Sequence, residues 1–524
     1  GSLMQVKDIR DTSGKKPVPA TLTVPAVLQK RAVGIMPQFL WDNTGYVLGI
    51  DGKGKPERTA EQHGAFVQLH KDIAKTCNDE GLTALLNFLR QWQPEDAAKL
   101  PQSKEILDNN IVFQLDGSRE YVHDRPALKC AWIAHLESQA SSTQAVCLIT
   151  GVHAPIAKLN LPVKGVRGAQ TSGASLCAFN LDAFRSFDKS QNYNAPMSPE
   201  AAFAYVTALN CLLQFGSGQS LLVADTTVVF WSERASPAEG FFGLLLNPTD
   251  DPGDVQSMRL LLESVRTGQW AVDIDPNTSF YVLGLAPNSS RLSVRFWQAS
   301  SVQQFAARLA QHFSDLSIAG NSKTDPEYPP LWRLLRETAV QHKDDNIPPL
   351  LAGALLRAIL TGAEYPLSFY TAILKRIRAD HTINYIRAAA LKAYLVRRYR
   401  LNNQPKEVPV SLDPNNKNPG YLLGRLFALL EKAQLDALGK VDATIKDRYY
   451  GAASSTPRAV FPVLLRLAQH HIAKAEYGAV RDKEIQTVVN DLQEFPAHLS
   501  LEEQGLFAIG YYHQRHAFYN KPTE

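Results

Sequence analysis

The sequence predicts an α+β protein in which a mixed α/β region is followed by an all-α helical bundle. Before about residue 345, short strand-like runs alternate with helical segments and with loops rich in glycine and proline. After that point nearly every segment repeats its apolar residues at steps of three and four. A chain of 524 residues is also too long for one hydrophobic core. We therefore predict a mixed α/β region over residues 1–330, a linker over 331–346 and a helical bundle over 347–524.

The mixed region contains segments whose periodicity indicates particular elements. Alternation or short apolar runs predict three strands, the last of them buried: Gly45 to Asp51, Val223 to Trp231, and Ala145 to Gly151. Helical spacing predicts three helices: Glu61 to Thr76, Gly81 to Trp92, and Ser198 to Phe215. Ser198 is placed to cap the last of these helices, and Pro199 occupies its first position. The run "GNSKTDPEYPP", Gly320 to Pro330, is typical of a linker.

Residues Phe280 to Trp297 predict a β-hairpin with its turn at Pro287-Asn288. In its second strand, alternation places four residues on one face: Arg291, Ser293, Arg295 and Trp297. The same alternation places three residues on the opposite face: Leu292, Val294 and Phe296. The arginine-bearing face suits a phosphate chain, and it equally suits solvent beside a buried tryptophan. The strand alone leaves both interpretations open.

The C-terminal region consists of amphipathic helices joined by short loops, which favours a packed bundle. The helical segments are 349–362, 367–379, 382–399, 421–438, 458–475, 482–493 and 501–515. In the fourth segment the apolar side chains form a single stripe: Leu423, Leu426, Phe427, Leu430 and Ala433. Ser500 and Glu503 match a capping box at the start of the last helix.

Composition excludes several classes of protein. With 45% hydrophobic and 20% charged residues the chain is typical of globular proteins, and no apolar stretch approaches the roughly 18 residues that span a bilayer. The first residues contain no apolar segment typical of a secretory signal. The five cysteines are widely spaced and form no CxxC pair, which indicates reduced thiols and argues against a zinc ribbon. We therefore predict a cytoplasmic protein with no membrane partner.

Positive charge is concentrated toward the C-terminal end, although the net charge of the chain is only +4. Residues 321–524 have a balance of +6, from 27 Lys+Arg against 21 Asp+Glu. The densest stretch, Thr371 to Arg400, contains eight Lys+Arg and one Asp. Such a cluster is typical of nucleic-acid binding, and it is also typical of a solvated helix face near an acidic neighbour. Both interpretations stay open at this point.

Motifs for catalysis are missing from the sequence. The chain contains no GxSxG elbow, no P-loop, no GxGxxG after a strand and no HExxH pair. The histidine pairs at 470–471 and 513–516 have no further ligands at metal-binding spacing, so we interpret them as helix-surface or core residues. We interpret the acidic turn at 249–254 and the HDRP segment at 123–126 as loops. We therefore predict no enzymatic activity, no metal and no cofactor.

The segment "VKGVRGAQTSGASLCAFN", Val163 to Asn180, combines backbone freedom, positive charge and hydrogen-bonding side chains. Its three glycines let backbone amides approach a partner closely. Its cations are Lys164 and Arg167, and its neutral polar residues are Gln170, Thr171, Ser172, Ser175 and Asn180. This combination suits phosphate positioning and the reading of base edges. The alternative is a glycine-rich connection whose polar groups are satisfied by its own turns.

Nine segments in order resemble one protein family over nearly the whole chain. They are "FLWDNTGYVLGID", "VKGVRGAQTSGASLCAFN", "YNAPMSPEAAFAYVTALN", "DTTVVFW", "FYVLGLAPNSSRLSVRFW", "AILTGAEYP", "GYLLGRLFALLEKAQ", "TIKDRYYGAASSTP" and "FAIGYYHQR". The family that they resemble is the large subunit of the type I-C CRISPR surveillance complex, Cascade. Its members open with a helix and a strand before the segment that starts here at Leu3, so the resemblance implies that native N-terminal residues are missing.

The resemblance implies a non-catalytic subunit of an RNA-guided DNA-binding assembly. In that family the large subunit inspects duplex DNA for a short protospacer-adjacent motif, helps to initiate the R-loop and holds the displaced strand. Its helical part resembles the small subunit of the complex. Because the guide RNA carries the sequence matching, the protein needs to read only the short motif and the backbone. The implied partners are target double-stranded DNA, the guide CRISPR RNA, the backbone and handle-binding subunits, the small subunit and a recruited nuclease-helicase.

Within this resemblance we assign roles to three groups of residues. Contacts to the motif and its flanking DNA are expected from Lys164, Arg167, Gln170, Ser172, Asn180, Lys189 and Asn194. Contacts to the displaced strand are expected from Lys375, Arg376, Arg378, Arg387, Lys392, Arg397 and Arg398. Contacts to phosphate or the guide handle are expected from Arg291 and Arg295. Two alternatives stay open, an architectural protein-bridging subunit without direct DNA contact and an enzyme with an unrecognised active site.

Overall fold

The computed structural model describes residues 3–10, 19–20, 22–25, 34–52, 54–100, 105–138, 143–270, 274–320, 325–348, 350–439 and 441–519. These residues form two compact units. The first unit comprises Gly1–Val163 and Ser175–Leu209, and the second comprises Lys164–Ala174 and Asn210–Glu524. Residues 164–174, which carry most of the glycine-rich segment, therefore belong to the second unit.

Helices and two short antiparallel sheets make up the first unit. In chain order its elements are β1 (Trp41–Asn43), α1 (Thr44–Val47), α2 (Pro56–Ala74), α3 (Glu80–Gln91), β2 (Asn110–Val112), α4 (Pro126–Ser138), β3 (Gln144–Val146), β4 (His153–Pro155) and α5 (Pro199–Leu212), whose last turn lies in the second unit. Strand β1 pairs with β2, and β3 pairs with β4. Phe66, Leu82 and Trp132 come from α2, α3 and α4 and meet in one hydrophobic core.

The three helices predicted in this unit are confirmed as α2, α3 and α5. Helix α3 begins after Asp79, whose carboxylate accepts hydrogen bonds from the backbone N–H groups of Gly81 (2.7 Å) and Leu82 (3.3 Å). Helix α5 begins as predicted, because the Ser198 hydroxyl accepts from the backbone N–H of Ala201 (3.2 Å). Side-chain capping therefore fixes where these two helices start.

Of the two strands predicted in the first unit, one is wrong and the other is confirmed only at its first two residues. At Gly45 to Asp51 the chain forms α1 and a turn, because the Asn43 side chain accepts from the backbone N–H of Gly45 (3.0 Å) and starts a helix. At Ala145 to Gly151, β3 ends at Val146 and the next residues form a turn with exposed apolar side chains. Short apolar runs do not distinguish a buried strand from other structures, and here the capping residue and the turn decide.

The second unit contains a four-stranded antiparallel sheet in the order β5-β6-β7-β8. Its strands are β5 (Ser220–Val223), β6 (Thr226–Ser232), β7 (Ser279–Asn288) and β8 (Arg291–Ser301). The predicted hairpin is confirmed as β7 and β8, but its turn is at Ser289-Ser290 and not at Pro287-Asn288, which pair with Leu292 and Arg291. The strand predicted at Val223 to Trp231 is divided by a turn between β5 and β6. One face of the sheet packs into the core through Phe230, Phe280, Val282 and Phe296.

Helices form the rest of the second unit. They are α6 (Ala238–Leu246), α7 (Pro252–Thr267), α8 (Val302–Leu316), α9 (Leu331–Arg336), α10 (Leu351–Thr361), α11 (Leu367–Asp380), α12 (Tyr385–Leu401), α13 (Pro419–Leu438), α14 (Ile445–Ala453), α15 (Pro457–Ile472), α16 (Gly478–Asp491) and α17 (Leu501–Tyr519). The seven predicted C-terminal helices are confirmed as α10 to α13 and α15 to α17. The capping box is also confirmed, since the Ser500 N–H donates to the Glu503 carboxylate (2.7 Å) and the Glu503 N–H donates to the Ser500 hydroxyl (3.3 Å). The predicted α+β fold class is therefore confirmed.

A single hydrophobic core joins the sheet of the second unit to its helices. The stripe predicted on α13 is buried, and so are its other faces, because α13 is the central helix. Residues 331–346, predicted as a linker, include α9, whose Leu331 and Leu335 belong to this core. Residues 321–324 of the predicted linker sequence lie outside the described residues. Among the described helices, none combines the length and the apolar character needed to cross a bilayer.

Candidate functional site

A β-bulge in β8 decides which way the residues of the hairpin face. Leu285 pairs with Val294 and the preceding residue of β7 pairs with Phe296, so Arg295 is the extra residue. The bulge shifts the alternation, with the result that Val294 is half-exposed while Phe296 is buried. The predictions that Val294 shares a face with Phe296 and that Arg295 shares a face with Trp297 are therefore wrong.

The two arginines of the hairpin are engaged within the chain. The Arg295 guanidinium donates to the Asp225 carboxylate (3.0 Å), and Arg295 Cβ lies 3.5 Å from the position that a Cβ on Gly353 of α10 would occupy. Arg291 is half-buried and also has an interaction partner in the chain. This ion pair is partly exposed, so it does not exclude the predicted phosphate or guide-handle contact of Arg295, which stays a prediction. For Arg291 that role also stays a prediction.

On the sheet face opposite the core, three aromatic rings from three strands form a cluster, which we call the aromatic patch: Trp231, Tyr281 and Trp297. The Tyr281 ring centroid lies 5.5 Å from that of Trp231 and 5.7 Å from that of Trp297, and the two tryptophans are 5.5 Å apart. Trp297 is 49% exposed and the other two rings are half-buried. The sequence analysis missed this patch, because its members share a face only through the strand register.

Residues 164–174, which we call the sheet-face loop, lie on the same face of the sheet. The Arg167 N–H donates to the Thr227 hydroxyl (3.1 Å). Thr227 and Trp231 are four residues apart on β6, so their side chains point to the same face. The loop also lies against Pro287 at the end of β7. At about 3.3 Å per residue, its contact with β6 is about 13 Å from the aromatic patch.

The path of the sheet-face loop depends on glycine. Its three glycines have φ values of +89°, +78° and +95°, which favour a residue without a Cβ. A Cβ on Gly165 would lie 2.9 Å from the Leu213 carbonyl oxygen. The Lys164 N–H donates to the side-chain oxygen of Asn210 (2.7 Å), which fixes the start of the loop through the backbone. The loop is therefore held by backbone contacts, and these leave its side chains available.

Four residues predicted to contact DNA project from the sheet-face loop: Lys164, Arg167, Gln170 and Ser172. All four are exposed, and no hydrogen bond or ion pair joins their side-chain tips to other described residues. The turns inside the loop are made by backbone groups, such as the Gly173 N–H that donates to the Gln170 carbonyl (2.9 Å). The alternative in which the polar groups of the loop are satisfied by its own turns therefore does not hold for these side chains.

The other three residues predicted to contact the motif belong to the first unit. The Asn194 amide donates to the carbonyls of Lys189 (2.9 Å) and Gln191 (3.0 Å), and its oxygen accepts from the Ser186 N–H (2.9 Å). Asn194 therefore holds its own turn together, and its predicted role in reading DNA is corrected. Lys189 and Asn180 are exposed, and Asn180 has an interaction partner in the chain.

Arg387, predicted to contact the displaced strand, is fully buried. Its guanidinium donates to the carboxylates of Glu337 and Asp380 (2.6 Å each) and to the Thr382 carbonyl (2.9 Å). Two carboxylates and a carbonyl satisfy one guanidinium, so Arg387 stabilises the packing around α12. Its predicted contact to the displaced strand is corrected.

Two further cations of α12 converge on Asp315 of α8. Arg397 is fully buried, donates to the Asp315 carboxylate (2.9 Å) and lies 4.1 Å from the centroid of the Tyr365 ring. The Lys392 ammonium, 3% exposed, donates to the Asp315 carbonyl (3.3 Å). Burial pushes the pKa of Asp315 upward, but the bonds from Arg400 and Arg397 outweigh burial and hold that pKa below its usual value. The predicted displaced-strand contacts of Arg397 and Lys392 are therefore also corrected.

The remaining cations of the basic cluster differ in exposure. Arg376 is half-buried and pairs with Asp380, so it too acts within the chain. Lys375 and Arg378 of α11 and Arg398 of α12 are exposed. Their nearest contacts are uncharged: Arg378 donates to the Gln504 side chain (2.5 Å), and Arg398 donates to the Tyr394 hydroxyl (3.3 Å). These three residues keep their charge available at the surface.

Groups considered for metal binding or catalysis have structural contacts. The buried His513 side chain shares a hydrogen bond with the Tyr421 hydroxyl (3.0 Å), and burial lowers its pKa to about 3, so it is neutral. In the acidic turn, Asp251 caps α7 and Asp250 pairs with Arg333 (2.5 Å). Within the described residues, no group of three or more His, Cys, Asp or Glu side chains is placed to hold a metal ion.

The turn between β3 and β4 exposes a group of apolar side chains. They are Val146, Leu148, Ile149 and Val152, each more than half exposed. Exposed apolar side chains that lie together are typical of a surface that contacts another molecule.

Comparison with protein families gives one result that covers nearly the whole chain. Residues 1–519 match the model of the family described as CRISPR-associated protein (Cas_Csd1). A search among curated proteins finds no match. From the family match, the chain belongs to the Cas_Csd1 family of CRISPR-associated proteins.

Proposed function

We propose that the chain is the non-catalytic large subunit of a type I-C RNA-guided DNA surveillance complex. In this role it recognises the protospacer-adjacent motif in duplex DNA, helps to initiate the R-loop, holds the displaced strand and docks the nuclease-helicase in the cytoplasm. Membership of the Cas_Csd1 family supports a role in CRISPR defence. The resemblance of the nine segments to the type I-C large subunit supports the finer assignment.

One observation carries the DNA-recognition part of the proposal. The sheet-face loop presents two cations, an amide and a hydroxyl whose tips are unengaged, while the backbone of the loop is fixed to the sheet and to α5. A fixed backbone positions the tips before DNA arrives, so little conformational entropy is lost on binding. A guanidinium can contact phosphate or the edge of a guanine, and a glutamine amide can contact the edge of an adenine. We assign these roles to Arg167 and Gln170.

The displaced-strand part of the proposal now includes Lys375, Arg378 and Arg398 only. Lys375 and Arg378 are three residues apart on α11, so they lie on the same side of that helix. Cations in such an arrangement suit a single strand that is held by its phosphates. The exposed apolar turn between β3 and β4 supports contacts with other subunits of the assembly.

The experiment that tests the proposal uses the assembled complex with its guide RNA. Arg167→Ala combined with Gln170→Ala should weaken binding to duplex DNA with the correct flank by at least about 5- to 150-fold, because the loss of even one good contact to a base edge costs that much. Binding to the same target with a scrambled flank should change less. A gel-shift titration of both duplexes measures the two affinities.

The chain provides a matched control for this variant. Arg266 and Gln269 have the same residue types at the same spacing, and both are exposed at the end of α7. Arg266→Ala with Gln269→Ala should leave both affinities unchanged. If the loop variant binds the correct flank as tightly as the unmodified complex does, the sheet-face loop is not the recognition site. Cleavage of target DNA by the complex without any nuclease would contradict the non-catalytic assignment.

A further inference from the structure

We propose that the aromatic patch is a binding site for unpaired nucleobases, which stack on Trp297 while the phosphates of the same strand reach the sheet-face loop. Nothing in the sequence analysis or the family match assigns a role to these rings. The inference rests on one premise of the proposed function, which is that nucleic acid binds to this face of the sheet.

The geometry of the rings suits stacking. Tyr281 makes interplanar angles of 28° with Trp231 and 20° with Trp297, while the two tryptophans are tilted by 47°, so the three rings form a compact triangular cluster. Trp297 is the most exposed ring of the cluster, with half of its surface in solvent. A nucleobase stacked on the exposed part of Trp297 would add another ring to the cluster. Stacking of this kind tolerates any base, because every base presents a π-face.

The rings lie on the face of the sheet that is turned away from the hydrophobic core. The opposite face already supplies the aromatic side chains of the core, including Phe230 and Phe280. On the outer face the Trp297 indole N–H has no acceptor among the described residues. A large aromatic side chain half in solvent, with its polar group unpaired, is typical of a residue that contacts another molecule.

The positive charge near the aromatic patch favours nucleic acid over protein as the molecule that Trp297 contacts. The sheet-face loop, which carries the exposed Lys164 and Arg167, contacts β6 about 13 Å along the strand from the patch, and no carboxylate of the described chain pairs with either cation. Cations beside aromatic rings are the two components with which sequence-independent sites hold single strands. A duplex keeps its bases stacked on each other, so it can use the cations but not the rings. The patch should therefore distinguish unpaired from paired nucleic acid.

The test uses the full chain and four fluorescein-labelled probes: a 12-nucleotide oligo(dT), the RNA equivalent, and blunt duplexes with and without the correct flank. Trp297→Ala should weaken binding to the single strands by about 5- to 150-fold, the range expected for one lost stacking contact, and leave the duplexes unaffected. Trp297→Phe, which keeps a ring, should restore most of the affinity. Fluorescence anisotropy measures all the affinities, and equal effects on DNA and RNA would indicate that the sugar is not read.

Trp332 provides a matched control, because it is a partly exposed tryptophan of the same unit that lies on α9 beside Arg333 and Arg336. Trp332→Ala should leave single-strand binding unchanged. Ultraviolet crosslinking of a 5-iodouracil oligonucleotide to the unmodified protein should give adducts at the aromatic patch, and this readout does not depend on the folding of any variant.

Three outcomes would overturn the inference. In the first, the Trp297→Ala variant binds single strands as tightly as the unmodified protein does. In the second, all the crosslinks map outside the aromatic patch. The third is protection of Trp297 from acrylamide quenching in the assembled complex before nucleic acid is added, which would identify the patch as a protein contact. These results are independent of the flank-dependent duplex binding that tests the sheet-face loop, so either idea can fail without the other.

Discussion

Arg397 and Arg398 are adjacent in sequence, yet they have different roles, and the difference depends on what the fold places beside each of them. Arg397 is fully buried against Asp315 and the Tyr365 ring, whereas Arg398 is exposed and donates to a hydroxyl. A buried cation keeps its charge only if a carboxylate or several carbonyls compensate for lost hydration. On this physical basis the basic cluster divides into residues that stabilise the chain and residues that remain available to a partner.

The first stability prediction compares these two neighbours. Arg397→Ala should lower the free energy of unfolding by about 3–5 kcal/mol, because it removes one partner of a buried ion pair and leaves Asp315 less compensated. Arg398→Ala should lower it by no more than about 0.5 kcal/mol, because the side chain is exposed. Urea unfolding followed by tryptophan fluorescence measures both changes. Equal losses for the two variants would show that burial does not separate their roles.

At the scale of elements, sequence periodicity identified most of the helices and failed where a local contact decides the structure. The C-terminal helices carry long apolar repeats, and such repeats specify a helix over many residues at once. At Gly45 to Asp51 a single Asn43 cap outweighs a strand-like pattern, and at Arg295 a one-residue bulge reverses the alternation. Neither feature has a signal in periodicity.

The candidate site was partly predictable for the same reason. The sheet-face loop was found because glycine, lysine and arginine lie together in the sequence and need no tertiary partner to be recognised. The aromatic patch was not found, because Trp231, Tyr281 and Trp297 meet only when three strands pair in register. The buried cations of α12 were assigned to DNA, because their carboxylate partners lie up to 82 residues away along the chain.

The second stability prediction concerns the packing of α13 against α17. A methyl group on Gly424 of α13 would overlap the carbonyl of Phe507 on α17, so Gly424→Ala should destabilise the chain by about 1–3 kcal/mol or more. Gly451 of α14 is helical, and no atom lies within 4 Å of the position that its Cβ would occupy. Gly451→Ala should therefore stabilise by about 0.5–1 kcal/mol through its higher helix propensity. Thermal unfolding of both variants measures the opposite shifts, and a neutral Gly424→Ala would contradict the close approach.

At the scale of the whole molecule, net charge says little about where a polyanion binds. The chain has 55 Lys+Arg against 51 Asp+Glu. Many cations on the described surface are matched by carboxylates, as Arg259 is by Glu327 and Arg266 is by Glu263. The exposed cations without such a partner, including Lys164, Arg167 and Lys375, therefore determine where phosphate can be bound.

The salt dependence of target binding tests this last point in the assembled complex. Each phosphate contact to a single strand contributes about 0.7 to the slope of log K against log salt, because binding releases a condensed counterion. Lys375→Ala with Arg378→Ala should therefore reduce the slope by about 1.4 if α11 holds the displaced strand. Arg259→Ala with Arg266→Ala removes the same total charge from carboxylate-paired positions and should leave the slope unchanged. Filter binding from 50 to 300 mM KCl measures both slopes. An unchanged slope in the α11 variant would show that the displaced strand does not bind to this surface. Equal reductions in both variants would show that the total charge of the protein, rather than any particular contact, sets the salt dependence.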